Sequence, residues 1–117
     1  MAANPIVPES ELHIDAERSA TEVVFRCIGR INSSTCHELQ EAVRGALQRT
    51  NVVLDLSRVN HMDSSGLGTL VGLWVSAKKA GRQIELVSLS DRVKELLHLT
   101  SLDKVFATTR FPDQPSF

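Results

Sequence analysis

Residues 51 to 81 read NVVLDLSRVNHMDSSGLGTLVGLWVSAKKAG, and most of the architecture follows from how this stretch is divided. Residues 51 to 59, NVVLDLSRV, are a short, β-branched apolar run of the kind that fills a central strand. From Ser64 onward the apolar residues recur at helical spacing, Lys78 and Lys79 sit where cations suit a helix C-terminus, and Gly81 stands at a C-cap position. At about 100° per residue, Leu67, Leu70, Val71, Trp74 and Ala77 fall on one side, and Ser65, Gly68, Gly72 and Ser76 on the other. The large residues are expected to face the core. A helical glycine costs roughly 1 kcal/mol relative to alanine, so Gly68 and Gly72 on the small side ask for a reason. Close approach of a partner, wrapping of the protein's own sheet, or mere tolerance of the cost would each supply one.

The flanking segments complete an alternating pattern. LHIDAE (12 to 17) and TEVVFRCIGRI (21 to 31) alternate with period two, with Val23, Phe25, Cys27 and Ile31 on one face and Arg26 and Arg30 on the other. They read as an antiparallel pair. SSTCHELQEAVRGALQR (33 to 49) carries a helical stripe of Leu39, Val43, Ala46 and Leu47, and Thr35 with Glu38 has capping-box spacing. IELVSL (84 to 89) is a further buried strand, SDRVKELLHLTSL (90 to 102) a helix capped by Ser90 with Val93, Leu96 and Leu97 inward, and KVFATTR (104 to 110) a closing strand. The predicted class is α/β: a mixed sheet of about five strands packed against three to four helices, in the order β-β-α-β-α-β-α-β with right-handed crossovers. Residues 1 to 10, with Pro5 and Pro8, read as a flexible lead, residues 11 to 110 as the domain, and residues 111 to 117, with Pro112 and Pro115, as a tail.

A chain of 117 residues with 42% hydrophobic content suits one core. Its 13 basic and 14 acidic residues leave a net charge of −1, which carries no footprint of a nucleic-acid or membrane-surface binder. Cys27 and Cys36 have no second cysteine pair, and His13, His37, His61 and His98 have no zinc-ligand spacing, so free thiols and no metal are expected. MAANPIVPESE lacks the basic and apolar regions of a leader, and no apolar run approaches the roughly 18 residues of a membrane span. A cytoplasmic location without membrane insertion is expected.

The turn DSSG lies where an open sheet of this class gathers ligands, at the carboxyl end of a strand and the N-terminus of a helix. Its plainest role is capping by Asp63 or Ser64. A nucleophilic serine would need a base, yet the frame is not G-x-S-x-G and no His–Asp pair is evident. A phosphate-cradling loop is excluded as well, because GLG is followed by no Lys-Ser/Thr. A flat small-residue helix face beside an exposed serine reads as a docking site.

With these residues placed, the chain closely resembles the bacterial anti-sigma factor antagonists of the STAS-domain family. VVLDLSRVNHMDSSGLGTLVGL is similar to that family's strand, phosphorylation loop and second helix, and the likeness extends through CIGRIN and through GRQIELVSLSDRVKELLHLTSLDKVF. The resemblance implies a STAS-type fold and a non-enzymatic switch without cofactor. In its unmodified form such a protein binds an anti-sigma factor that is a GHKL-type serine kinase, releasing the sigma factor. Phosphorylation of the serine after the aspartate, here Ser64, turns binding off, and a serine phosphatase is the expected counterpart. Asn32, Met62, Asp63 and Gly66 around the loop, with Ser65, Gly68, Gly72 and Ser76 on the helix, form the expected partner surface. Where family members with the kinase switch often carry G-E-L-D, this chain has Gly29-Arg30-Ile31-Asn32. That substitution of charge keeps open a second class, a STAS adaptor of a transporter or lipid-transport complex that does not cycle through phosphorylation.

Overall fold

The computed structural model describes residues 12 to 106. β1 (Leu12–Arg18) pairs antiparallel with β2 (Glu22–Ile31), β2 pairs parallel with β3 (Asn51–Met62), and β3 pairs parallel with β4 (Ile84–Val87). The sheet order is therefore β1-β2-β3-β4. α1 (Cys36–Leu47) connects β2 to β3, α2 (Ser64–Ala80) connects β3 to β4, and α3 (Asp91–Leu99) follows β4. Parallel neighbours require such helical crossovers, and the mixed sheet is the one the alternating sequence implies.

One core forms between the helices and one face of the sheet. Val23, Phe25, Cys27 and Ile31 of β2, Val52, Leu54, Leu56, Val59 and Met62 of β3, and Ile84 and Leu86 of β4 all point into it. They meet Leu39, Val43, Ala46 and Leu47 of α1, the four residues of the expected stripe, and Val93 and Leu97 of α3. The opposite face carries charge: Arg26 Nη1 donates to Glu17 Oε1 at 2.7 Å, with Asp55 at 3.9 Å. β3 is central and longer than its nine-residue apolar run suggested, reaching Met62 through two register shifts against β2. At the second shift Gly29 adopts φ +118, a conformation that a β-carbon disfavours.

Helix ends depart from expectation in one place. Ser90 caps α3 by accepting from the Val93 N–H, and Gly81 ends α2 at φ +69, both as the sequence implies. Thr35 occupies the α1 N-cap position but forms no capping box. Its hydroxyl donates instead to the Arg30 carbonyl at 2.7 Å and accepts from the Asn32 N–H at 3.0 Å. A buried hydroxyl satisfied by the loop behind it is no longer free to cap the helix ahead.

The expected closing strand is not seen where it can be followed. Lys104 ends a 3-10 turn, Leu102–Lys104, and Val105 and Phe106 are outside any strand, while residues 107 to 110 lie outside the described residues. The sheet so described has four strands, one fewer than expected, and three α-helices.

Cys27 and Cys36 are free thiols, the first buried and the second half-buried. Burial, aided by the nearby Asp55 carboxylate, pushes the Cys27 thiol up from 9.0 to about 12. Raising a folded-state pKa favours the neutral thiol, so its contribution to stability is complete below pH 9.0 and is lost as pH rises toward about 12. We expect denaturant midpoints to decline from pH 9.0 upward in the parent, and less steeply in Cys27→Ala, when each is measured against its own value at neutral pH.

Candidate functional site

The site is built where β2 and β3 end side by side. β3 delivers the chain to Asp63, which has extended backbone angles and caps α2. One carboxylate oxygen accepts from the Ser65 N–H at 3.0 Å and from the Gly66 N–H at 3.1 Å. A negative charge here also complements the positive end of the helix dipole. The Asp63 N–H reaches across to the Ile31 carbonyl at 3.4 Å, which ties the loop to the end of β2. The expected capping role of Asp63 is thus filled, and it leaves Ser64 with nothing to cap.

Ser64 is the first residue of α2 and is exposed. Among the described residues its hydroxyl makes no hydrogen bond. Ser65 is half-buried, and its carbonyl accepts from the Thr69 hydroxyl at 2.9 Å. Beside them lies the turn after β2, where Asn32 Oδ1 accepts from the Ser34 N–H at 2.9 Å and Ser33 and Ser34 are exposed. Arg30 lies opposite His61 in the β2–β3 register, two residues before Asp63. The chain therefore brings Asn32, Asp63, Ser64 and Ser65 to one end of the sheet.

Two expected contact residues are not at the surface. Met62 is 0% exposed, packed in the core as the last residue of β3, and Gly66 is buried. A β-carbon on Gly66 would sit 2.6 Å from the Ile31 carbonyl oxygen and 2.7 Å from Met62 Cγ. Gly66 is therefore the glycine demanded by close approach, and the surface approached is the protein's own β2. At Gly68 and Gly72 an added β-carbon meets nothing within 4 Å.

The inward face of α2 also differs from the projected one. Gly66, Thr69, Leu70, Leu73 and Ala77 are buried, Leu67 and Trp74 pack at its flank, and Val71 is half-buried. The face is turned by nearly one residue, about 100°, because Gly66 must meet Ile31 and thereby sets the rotation of the helix. Ser76 is half-buried and lines the open cleft that Arg44, Leu47 and Gln48 of α1 make with Lys79 and Ala80 of α2. The exposed residues of α2 ahead of its last turn are Ser64, Gly68 and Val75, with Val71 and Gly72 half-buried beside them, and Lys78, Lys79 and Ala80 are exposed at its end. Sequence projection missed Val75, which is 39% exposed and, among the described residues, one of two exposed large hydrophobics. A cleft of about 300 Å³ lined by Trp74, Lys78, Arg82, Ile84 and Val105 is at the far end of α2. Among the described residues no cluster of three metal-ligating side chains occurs, and no helix is long and apolar enough to cross a membrane.

The STAS domain family model matches residues 13 to 114, and the chain belongs to that family. A curated relative, the anti-sigma-B factor antagonist of Listeria monocytogenes, is 32% identical over 91 residues, spanning 76% of this chain and 80% of its own length. The crystal structure of an anti-sigma factor antagonist from Mycobacterium paratuberculosis superposes with a TM-score of 0.79 at 24% identity, covering 92% of this chain and 93% of that one. The Bacillus cell fate determinant SpoIIAA in its phosphorylated form shares the fold with a TM-score of 0.66 at 18% identity, covering 83% and 91%.

The two classes of glycine in α2 should separate cleanly. Gly66→Ala is expected to lower unfolding free energy by about 1–3 kcal/mol, since the backbone carbonyl it meets cannot turn aside. Gly72→Ala should raise it by up to about 1 kcal/mol. Urea denaturation of both variants checks this, and similar effects of the two would contradict the assigned close approach.

Proposed function

We propose that this chain is an anti-sigma factor antagonist working by partner switching, with Ser64 as its phosphoacceptor. The observation that carries the reading is the exposed, unengaged Ser64 hydroxyl placed directly after a capping aspartate on a helix N-terminus. A kinase could transfer the γ-phosphoryl group of ATP to Ser64 Oγ, releasing ADP and the hydroxyl proton, without disturbing a core contact. The curated relative named anti-sigma-B factor antagonist and the phosphorylated state of SpoIIAA support the same reading.

The physical consequence is a change of surface at constant fold. A phosphate adds about −1.5 to −2 charges beside Asp63, in a position where the helix N-terminus tolerates them. A partner surface that had accepted a neutral hydroxyl would have to desolvate that charge without a counter-ion, which opposes binding. Unmodified, the chain would bind its anti-sigma factor, a GHKL-type serine kinase, through Asn32, Asp63, Ser65 and the outward positions Gly68 and Gly72. A phosphatase would restore the binding form.

Incubation with the anti-sigma kinase of the source organism and ATP should place phosphate on Ser64, mapped by mass spectrometry, with Ser65 unmodified. By calorimetry, Ser64→Ala should bind that kinase as the parent does, and Ser64→Asp at least about tenfold more weakly, or ~1.4 kcal/mol. Equal affinity of the two folded variants would favour an adaptor that does not use this serine as a gate.

A further inference from the structure

Charge on the sheet face turned away from the helices is matched except beside the DSSG turn. Because Ile31 and Met62 point into the core, alternation puts Arg30 and His61, which are partners in the β2–β3 register, on that other face. Further from the turn, Arg26 meets Glu17 at 2.7 Å and Asp55 at 3.9 Å, and His13 meets Asp15 at 2.9 Å. At the turn the pairing stops. Arg30 is half-buried, and among the described residues its guanidinium makes no hydrogen bond or ion pair. Across residues 28 to 34 and 58 to 65 the one carboxylate is that of Asp63, and it is taken by two α2 N–H groups. Arg58, opposite Ile28, at least shares a cleft with Asp15 and Asp55. Arg30 is the cation left without a counter-charge.

Its place is fixed as well. The Arg30 carbonyl accepts the Thr35 hydroxyl at 2.7 Å, and the carbonyl of the next residue, Ile31, accepts the Asp63 N–H at 3.4 Å. Arg30 therefore stands on an interior strand, one residue from the contact that seats the Ser64 turn. A partner docking on Asn32, Asp63 and Ser65 meets this guanidinium at the rim of its footprint. Covering a charge without matching it opposes binding, so the partner has to bring an anion. A guanidinium is a planar fork of donors that suits a carboxylate in two parallel hydrogen bonds.

We propose that Arg30 selects the partner, and that the anti-sigma factor bound by this chain presents an aspartate or glutamate to the Arg30 guanidinium. The inference rests on the reading of the Ser64 turn as the docking site. An anti-sigma factor with a basic residue in that place is rejected by like charge. The same acid makes the complex sensitive to modification, since a carboxylate seated over Arg30 is repelled by a phosphate on the neighbouring turn.

The test uses the full chain and the anti-sigma kinase of the source organism with a non-hydrolysable ATP analogue, so that Ser64 stays unmodified, and reads affinity by calorimetry. At about 0.05 M salt Arg30→Glu should bind at least about tenfold more weakly than the parent, and the gap should narrow at about 0.5 M. Arg30→Gln should fall between the two. Arg49→Glu, an equal change of charge on an exposed residue just past the far end of α1, should bind as the parent does. Circular dichroism checks that each variant is folded. Reversing one acidic residue of the kinase to lysine should restore binding to Arg30→Glu, and rescue by none of them overturns a carboxylate as the partner group. A parent that binds while Arg30→Glu is impaired no more than Arg49→Glu overturns the role of Arg30 and leaves the docking site standing. A parent chain that does not bind the kinase at all overturns the docking reading, and this inference with it.

Discussion

The Asp63 carboxylate is the interaction on which the exposed end of this molecule depends. By accepting the Ser65 and Gly66 N–H groups it starts α2 at Ser64, and its own N–H holds the turn to the Ile31 carbonyl. A helix begins with four unpaired N–H groups, and satisfying two of them with one buried-edge carboxylate fixes where the first turn lies. Everything outward of that turn is then determined by helical geometry. Ser64 is thrown clear of the core, and Gly66 is driven onto β2 so closely that no side chain fits between.

That contact also explains why α2 presents the face it does. With Gly66 pinned against Ile31 and Met62, Leu70, Leu73 and Ala77 turn into the core, and Gly68, Val75 and the half-buried Val71 and Gly72 are left toward solvent. The outward side of α2 thus runs from the exposed Ser64 hydroxyl past Gly68, Gly72 and Val75 to two lysines. A phosphate at one end changes the charge of that side without entering the core, so recognition can change while packing does not. The sheet serves mainly as the platform: parallel β2 and β3 end together, and their loops are neighbours for that reason.

Much of this could be read from residues alone. Period-two and helical stripes located the four described strands and three helices, because each buries one face and the burial demands the pattern. Asp63, Ser90 and Gly81 were readable as caps since their side chains, or lack of one, perform that task locally. Where the reading failed, the determinant was a distant contact. Thr35 has a capping residue's neighbours, but its hydroxyl is taken by the Arg30 carbonyl five residues back. The rotation of α2 depends on Gly66 meeting Ile31, 35 positions earlier in the chain, which no local projection contains. For the same reason Met62 and Gly66 resembled loop contacts and are core, and Val75 resembled nothing in particular and is exposed.

The central claim is that modification at Ser64 alters a surface and leaves the fold as it is. It is tested most directly by comparing amide and methyl NMR spectra of the unmodified chain with those of the chain carrying phosphoserine at position 64. The account predicts shifts in the Asp63 turn, the adjoining Asn32 turn and the outward face of α2, with the core methyls of Leu39, Leu54, Leu73 and Val93 unmoved. Displacement of those core methyls, or loss of the protected Gly66 amide, would contradict it.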